Sequence, residues 1–351
     1  MSDAPEPDQL EGFPHPRERT ALIGHDDAER EVLDAYRAGR LHHAWIIGGP
    51  EGIGKATFAY RIAKFLLANP DPSAPAVQAA RDLSVDPAAP AARKVVAMSH
   101  PDLIALRRTI NPETKRPRQD IPIDMARKAG AMFSATAGEG GWRICIIDAA
   151  EDLNRAGANA ILKTLEEPPP RAIFLIVSHA PGRLLPTIRS RCRLLQLAPL
   201  TQDDLARVLD EIAFEEDPGA VKAAVAHADG SVRRAIALLD PDLVEMGQRT
   251  RALLEALPDL PQKALLDLAG RAAGRDGEAN YAEMLDVVRD WLSAEVASGA
   301  GDGAARMAPL AEMWEKMHEG ARAIDAYNVD RRPFIVGLFS DMAEAVARLR
   351  A

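Results

Sequence analysis

One nine-residue segment constrains the fold of this chain more than any other part of the sequence. Gly49–Thr57 reads Gly-Pro-Glu-Gly-Ile-Gly-Lys-Ala-Thr, close to the pattern G-x-x-x-x-G-K-[ST], in which backbone N–H groups surround phosphates and the lysine reaches their oxygens. The apolar run Ala44–Ile47 before it suits a buried strand, and Phe58–Leu67 after it has the spacing of a helix. Strand, loop and helix together predict a phosphate-binding loop at the end of a sheet strand.

The loop departs from the pattern at its last position, where Ala56 stands in place of the Ser or Thr that holds Mg²⁺. Thr57 follows directly, but an offset of one residue on a helix rotates a side chain by about 100°, so we expect it to face away from the metal. ATP is expected to bind through Lys55 and the backbone N–H groups, without the usual protein ligand for Mg²⁺. The predicted nucleotide-binding residues of the loop are Gly49, Pro50, Glu51, Gly52, Ile53, Gly54, Lys55, Ala56 and Thr57.

Length and composition narrow the class of protein. A chain of 351 residues exceeds one ordinary core, so two or three domains are expected. Its net charge of -9 argues against wrapping nucleic acid by bulk electrostatics, which needs a clustered basic face. Cys145 and Cys192 are the only cysteines, which excludes a disulfide framework and a four-cysteine zinc site, so no zinc is expected. No apolar run approaches the roughly 20 residues that span a bilayer, so we expect no membrane partner and a cytoplasmic location.

The hydrophobic pattern divides the chain into four parts. Residues 1–19, rich in Pro, Asp and Glu with little to bury, are predicted to form a flexible lead-in. Over residues 20–198 short apolar strands alternate with helices, which predicts a parallel sheet with right-handed crossovers. Beyond Pro199 only helical patterns remain, and we expect a small helical unit at 199–242 and a longer helical domain at 243–351. The predicted strands after the loop are Leu103–Leu106, Arg143–Asp148, Ile173–Ser178 and Arg193–Leu197.

The first domain also contains a proline-rich insertion and a helix with a recognisable N-cap. The Pro/Ala-rich stretch Asn69–Ala92 is predicted from its composition to be a loose insertion. Asn154 is a plausible N-cap for a helix that the proline run at Pro168 ends. One face of that helix is expected to pack onto the sheet.

A second nucleotide-binding element is predicted at the apolar strand Ile144–Asp148. A carboxylate at the carboxyl edge of a parallel sheet can lie beside a bound metal, so Asp148 is a candidate for that position. An Asp that merely caps the next helix is the alternative. An ATPase also needs a residue that orients the attacking water, but Ala149 follows Asp148 and the next acid, Glu151, lies two residues further. Two losses in separate elements, at Ala56 and Ala149, indicate that hydrolysis is absent or vestigial.

Three further segments carry a family resemblance. They are Arg40–Ala44 (Arg-Leu-His-His-Ala), Asn159–Pro169 (Asn-Ala-Ile-Leu-Lys-Thr-Leu-Glu-Glu-Pro-Pro) and Leu185–Cys192 (Leu-Pro-Thr-Ile-Arg-Ser-Arg-Cys). With the phosphate loop, they make residues 20–240 resemble the clamp-loader branch of the AAA+ ATPases. The resemblance implies an α/β then all-α fold: an AAA+ P-loop parallel-sheet domain, a small helical lid, and a C-terminal helical collar for oligomerisation. Many relatives carry a four-cysteine zinc module where this chain has its insertion, so zinc is not implied.

The resemblance also implies roles for three residues. Ser178 and Arg233 stand at the sensor 1 and sensor 2 positions, and an ordinary strand-end hydroxyl or solvated arginine explains each equally well. Arg191 stands where the family supplies an arginine finger to the nucleotide of a neighbouring subunit, and its planar guanidinium suits the charge on a transferring phosphoryl group. An ordinary surface ion pair is the alternative for Arg191.

The function implied is that of a ring subunit that helps load a sliding clamp on primed DNA. Such a subunit is part of a DNA polymerase holoenzyme without a polymerase site of its own. The implied partners are clamp-loader subunits of the gamma/tau and delta kinds in a heteropentameric ring, with the clamp and primed DNA reached through that ring. The alternative is a self-sufficient ATPase that uses Thr57 or a water as metal ligand and Glu151 as the water-orienting acid. Nothing after Pro199 suggests the acceptor site of a small-molecule kinase.

The basic and histidine clusters favour structural roles over binding. A loop after the second strand holds five cationic residues, and we expect it to be solvated rather than DNA-facing, because no aromatic residue lies among them for base stacking. His42 and His43 lack metal-ligand spacing and are expected to serve packing or hydrogen bonding. The cationic residues of the loop are Arg107, Arg108, Lys115, Arg116 and Arg118.

Overall fold

The computed structural model describes residues 10, 12–111, 118, 120–274, 277–298, 304–327 and 329–350. The chain forms two compact units, Met1–Ile236 and Ala237–Ala351. The division of the chain into a lead-in and three domains stays a prediction. Lys115 and Arg116 of the basic loop, and part of the predicted lead-in, lie outside the described residues.

The first unit is built on a five-stranded sheet in the order β2-β3-β4-β1-β5, and every pair in it is parallel. Each residue of the central strands β1 and β4 is buried, as expected for a parallel sheet covered on both faces. The predicted strands are therefore present, each within a residue or so of its expected ends. The strands are β1 Ala44–Gly48, β2 Leu103–Arg107, β3 Arg143–Asp148, β4 Ala172–Ser178 and β5 Arg193–Gln196.

Helices cover both faces of this sheet. Because side chains alternate along a strand, Trp45 and Ile47 contribute to one apolar core, while Ala44 and Ile46 contribute to the other. The expected α/β then all-α fold class, a parallel-sheet domain followed by helices, is confirmed. The helices of this unit are α1 Asp26–Arg37, α2 Lys55–Ala68, α3 Pro75–Ala79, α4 Pro90–Val96, α5 Ile123–Ser134, α6 Arg155–Glu166, α7 Pro186–Arg189, α8 Gln202–Ile212, α9 Pro218–His227 and α10 Val232–Ala237.

Helix α6 begins as the sequence predicts. The side chain of Asn154 accepts a hydrogen bond from Gly157 N at 2.9 Å, so Asn154 is its N-cap. Ala158, Ile161 and Leu165 are buried on the face that packs on the sheet. This helix returns the chain from the carboxyl end of β3 to the amino end of β4, as a right-handed crossover requires.

The Pro/Ala-rich insertion is packed rather than loose, so that expectation is wrong. It contains α3 and ends in α4, and Val77 and Leu83 are buried in the same core as α1 and α2. Arg37 on α1 donates from Nε to the Val77 carbonyl at 2.9 Å, and Glu29 accepts from the Leu83 N–H at 2.9 Å. Composition did not reveal these contacts, because a few well-placed apolar residues are enough to anchor a proline-rich segment.

The lead-in is also anchored over its described part, contrary to the expectation of a flexible segment. His15 is fully buried, and its ring meets Tyr60 edge to face at a centroid distance of 5.9 Å. Arg17 donates from Nε to the Val96 carbonyl at 2.9 Å, and Lys64 donates from Nζ to the Arg19 carbonyl at 3.0 Å. We call residues 12–19 the N-terminal strap.

All regular secondary structure among the described residues of the second unit is helical, and the unit has its own apolar core. Ile335, Leu338 and Met342 are buried on one face of the last helix. Among the described residues, no helix combines the length and apolar character needed to cross a bilayer. The helices are α11 Pro241–Glu255, α12 Gln262–Ala272, α13 Glu278–Ser298, α14 Ala304–Tyr327 and α15 Arg331–Arg350.

Candidate functional site

The phosphate loop follows the carboxyl end of β1 and leads directly into α2. Its glycines Gly49, Gly52 and Gly54 have φ of 146°, 78° and 98°, in the left-handed region that side chains rarely adopt. A Cβ at Gly49 would lie 2.6 Å from the Leu197 carbonyl oxygen, so that position has no room for a side chain. The loop thereby presents the positive end of the α2 dipole to an anion.

Lys55, the first residue of α2, is only 3% exposed. Its ammonium donates to the loop's own carbonyls, at 2.8 Å to Gly49 O and also to Pro50 O. Burial lowers the pKa of Lys55 to about 8, and the nearby carboxylates Glu51 and Asp148 oppose that shift. The lysine that would meet phosphate is therefore held inside the loop by two carbonyl oxygens.

Helix α10 packs on the phosphate loop. The Val232 N–H donates to the Gly52 carbonyl at 2.9 Å, and Arg233 Nε lies 3.5 Å from Glu51 Oε1. A Cβ added at Gly52 would approach the Arg233 Cβ to 2.6 Å and the Ser231 hydroxyl more closely still. The sensor 2 candidate Arg233 thus lies against the phosphate loop, as its predicted role requires.

At the end of β3, Asp148 and Glu151 have different surroundings. Asp148 borders the same cleft as the loop, and Ala149 beside it is buried. Glu151 Oε1 accepts three hydrogen bonds, from Ser178 Oγ at 2.6 Å, His179 N at 3.0 Å and Ala180 N at 2.9 Å. Glu151 and the sensor 1 candidate Ser178 are hydrogen-bonded to each other at the end of β4. These bonds do not favour Glu151 as the acid that orients a water.

A cleft of about 250 Å³ connects these elements. Both Ala56 and Thr57 border it, and the expectation that Thr57 faces away from a bound metal stays a prediction. Its volume is slightly below the roughly 300–1,000 Å³ typical of ligand pockets. The loop residues that line the cleft are Glu51, Gly52, Ile53, Gly54, Lys55, Ala56 and Thr57.

The N-terminal strap forms one wall of this cleft, which sequence reasoning missed. Phe13, Pro14 and Pro16 line it, and the buried His15 receives a hydrogen bond at Nε2 from Arg107 Nη1 at 3.1 Å. Proline and acidic residues dominate the composition of the segment, so only its few apolar residues indicated that it packs against the cleft. An apolar wall opposite a phosphate loop is a suitable surface for a nucleotide base or sugar.

Five cationic side chains line the cleft, and two of them belong to the loop expected to be solvated. Arg107 is the last residue of β2 and pairs in register with Asp148 on β3, which puts their Cα atoms about 4.8 Å apart. Arg108 follows, and its Nε lies 3.1 Å from Asp152 Oδ2. Arg107 therefore belongs to the sheet rather than to a solvated loop, whereas the Arg108 side chain is 44% exposed, as the solvated-loop interpretation expects. The five cations are Arg19, Lys55, Arg107, Arg108 and Arg233.

Arg191 lies near the amino ends of the strands, whereas the phosphate loop follows the carboxyl end of β1. It precedes β5, whose first residue Arg193 pairs in register with Trp45 near the amino end of β1. Trp45 comes four residues before Gly49, a distance of about 13 Å along the strand. The Arg191 guanidinium contacts Glu166 at the end of α6, 2.8 Å from Oε1, and donates to the Thr187 carbonyl at 2.9 Å. Its side chain is 34% exposed.

The histidine and cysteine residues have structural surroundings. The rings of His42 and His43 stack at 4.3 Å, and each ring bonds to a backbone carbonyl, as expected for packing and hydrogen bonding. Burial raises the pKa of Cys145 above its ordinary range and that of Cys192 to about 12, so both thiols stay protonated. Within the described ranges no three His, Cys, Asp or Glu side chains are grouped as a metal site would need.

The structure thus brings together most of the predicted nucleotide site. Lys55, Asp148 and Arg233 line one cleft. Ser178 does not line it but donates a hydrogen bond to Glu151. Arg191 lies near the amino ends of the strands. The glycines and cleft residues fit the phosphates of a nucleotide, whereas Ala56 leaves the metal without its usual hydroxyl. The functional roles of these residues stay predictions.

Comparisons with known proteins agree with these features. A family model described as DNA polymerase III, delta subunit, matches residues 24–201. DNA polymerase III subunit delta' of Escherichia coli K12 is 32% identical over 213 residues, which are 60% of this chain and 59% of that protein. Subunit delta' of Pseudomonas aeruginosa is 28% identical over 300 residues, 82% of this chain and 71% of that protein. Subunit tau of Salmonella typhimurium is 26% identical over 329 residues, 86% of this chain and 47% of that protein.

The match to the E. coli protein spans less than two thirds of that protein's length. Within the clamp-loader branch, the motifs described above most resemble those of the delta-prime subunit of bacterial DNA polymerase III, and two of these relatives carry that name. The family model covers the sheet, the phosphate loop and the segment with Arg191. The chain belongs to the family described as DNA polymerase III, delta subunit.

Proposed function

We propose that this chain is a clamp-loader subunit that donates Arg191 to a nucleotide bound by a neighbouring subunit and does not hydrolyse nucleotide in its own cleft. In that role it helps a heteropentameric ring load the sliding clamp on primed DNA. Its neighbours are subunits of the gamma/tau and delta kinds, which accords with the names of its relatives.

The position of Arg191 carries this proposal. A guanidinium at the amino edge of the sheet cannot serve a phosphate loop at the carboxyl edge of the same sheet, about 13 Å or more away along the strands. If Arg191 acts on a nucleotide, that nucleotide belongs to another subunit. An arginine finger of this kind accelerates phosphoryl transfer by about 10³ to 10⁵.

The chain's own cleft supports the second half of the proposal. Ala56 and Ala149 stand where a metal ligand and a water-orienting acid are needed, and Glu151 is engaged by three donors. The alternative of a self-sufficient ATPase requires Glu151 to leave those donors. Since each is a bond to a charged carboxylate, worth about 1.5–3 kcal/mol, that rearrangement is costly.

A reconstituted ring tests the finger. Replacing Arg191 by Ala should leave assembly intact and lower the clamp-stimulated and DNA-stimulated ATPase rate severalfold, with a parallel fall in clamp loading. Arg189→Ala is the matched control, because Arg189 lies two residues away on α7 and donates to the nearby Gly182 carbonyl at 3.0 Å. Equal loading rates for Arg191→Ala and the unmodified chain would contradict the finger role.

A further inference from the structure

We infer that the cleft beside the phosphate loop binds a nucleoside di- or triphosphate without a metal ion, with arginine side chains neutralising the phosphates. The inference rests on the proposed function in one respect: the cleft is a nucleotide site that does not hydrolyse. The ligand inferred for that site is a nucleotide whose phosphates are bound without Mg²⁺.

The metal position is where the cleft departs most from an ordinary phosphate loop. Mg²⁺ is held by one or two protein oxygens together with the phosphates and water, and the loop hydroxyl is one of those oxygens. Ala56 removes it. Asp148 remains at the end of β3, and its neighbour across the sheet is Arg107 rather than an uncharged residue.

The backbones of Arg107 and of Asp148, the residue that would hold the metal, are therefore one strand spacing apart. Arg107 is bound to His15 Nε2 at 3.1 Å, and Arg108 reaches Asp152 at 3.1 Å, so both are positioned at the cleft wall by polar contacts. Lys55 and Arg233 add two cations from the loop side and from α10. Four cations around the phosphate end supply the charge that a metal supplies elsewhere.

The acids of the cleft do not cancel this charge. Its lining holds three carboxylates, Glu51, Asp148 and Asp152, against five cations. Burial raises the pKa of Asp152, and Arg108 opposes that shift. A phosphate chain that enters the cleft exchanges carboxylate partners of the arginines for phosphate oxygens, to which guanidinium groups bind in two-bond geometry.

Equilibrium binding by the full chain tests this inference. A fluorescent ATP analogue, displaced by unlabelled ATP or ADP, is titrated at fixed ionic strength with Mg²⁺ or with EDTA. The unmodified chain should bind in EDTA within about threefold of its affinity with Mg²⁺, because the site lacks the metal's protein hydroxyl. Ala56→Ser restores that hydroxyl and should make Mg²⁺ tighten binding by about fivefold or more.

Substitutions in the wall identify the cations. Arg108→Ala should weaken binding in EDTA by about tenfold, as loss of a charge-assisted contact predicts, and Arg108→Lys should recover part of it. Arg127→Ala is the matched control, since Arg127 is an exposed arginine on α5 that pairs with Asp124 and does not line the cleft. It should bind as the unmodified chain does.

Three outcomes would overturn the inference. They are a strict need for Mg²⁺ in the unmodified chain, an unchanged affinity for Arg108→Ala in EDTA, and undetectable binding of every nucleotide in both buffers. None of these touches the finger role, which is measured in the ring through Arg191. If metal-free binding were observed but Arg191→Ala had no effect in the ring, only the finger role would be contradicted.

Discussion

Lys55 links the chemistry of the cleft to a measurable pH dependence. Its pKa in the free cleft is about 8, because burial disfavours the charged form. Phosphates stabilise the ammonium, so the pKa of Lys55 rises in the complex. Affinity should therefore be constant below pH 8 and fall as pH rises above 8, by up to about tenfold per unit, until the pKa of the complex is reached.

The measurement is the dissociation constant of the ATP analogue between about pH 7 and pH 9.5. His25 and His179 have pKa values lowered by burial, so they stay neutral throughout and do not add to the profile. Lys55→Arg keeps its charge and should give a flat profile. A flat profile in the unmodified chain would mean that Lys55 does not exchange its carbonyl partners for phosphate.

Single residues also show what local pattern can reveal. The phosphate loop, Asp148 and Arg191 were all identified from short motifs, because their chemistry depends on neighbours within a few positions. Arg107 and Arg108 were assigned to solvent, since their relation to the cleft depends on which strand lies beside β2. That pairing, Arg107 with Asp148, joins segments 41 positions apart and has no local signature.

At the level of elements, the packed insertion makes a second prediction. Leu83 is 1% exposed in the core shared with α1 and α2. Leu83→Ala should lower the free energy of unfolding of the first unit by about 2–5 kcal/mol, as buried Leu→Ala changes do. The matched control Arg81→Ala, exposed two residues earlier, should change it by no more than about 0.5 kcal/mol.

Chemical denaturation followed through Trp45 and Trp142, both in the first unit, provides the measurement. If Leu83→Ala proved as mild as Arg81→Ala, the insertion would be loosely attached after all.

The strands and helices of the sheet domain were predictable because their apolar periodicity is strong. The insertion and the strap were not, because their anchors are single long-range contacts, such as Arg17 with Val96 79 positions away.

For the molecule as a whole, the proposed function assigns two different roles to the carboxyl and amino ends of the strands of one sheet. The carboxyl edge holds a cleft with phosphate-binding parts and no hydrolytic pair, whereas the amino edge holds Arg191. Glu166 pairs with Arg191 at 2.8 Å, and partly exposed pairs of this kind contribute only about 0–1 kcal/mol. A phosphate group on a neighbouring subunit can therefore replace Glu166 at little cost.

This separation predicts that repairing the cleft does not by itself create an ATPase. In the isolated chain, Ala56→Ser combined with Ala149→Glu restores the metal hydroxyl and the water-orienting acid. Phosphate release should nevertheless stay far below that of the reconstituted ring, by about 10³ or more, because the chain's own Arg191 lies at the wrong edge to supply a finger.

A dilution series extends the test. If copies of the repaired chain supply Arg191 to one another, the rate per molecule should rise with protein concentration and vanish when Arg191→Ala is added. A rate that is independent of concentration and approaches that of the ring would mean that one chain completes the reaction alone. In that case hydrolysis would not depend on an arginine from a second subunit, and the division between the two edges would not govern function.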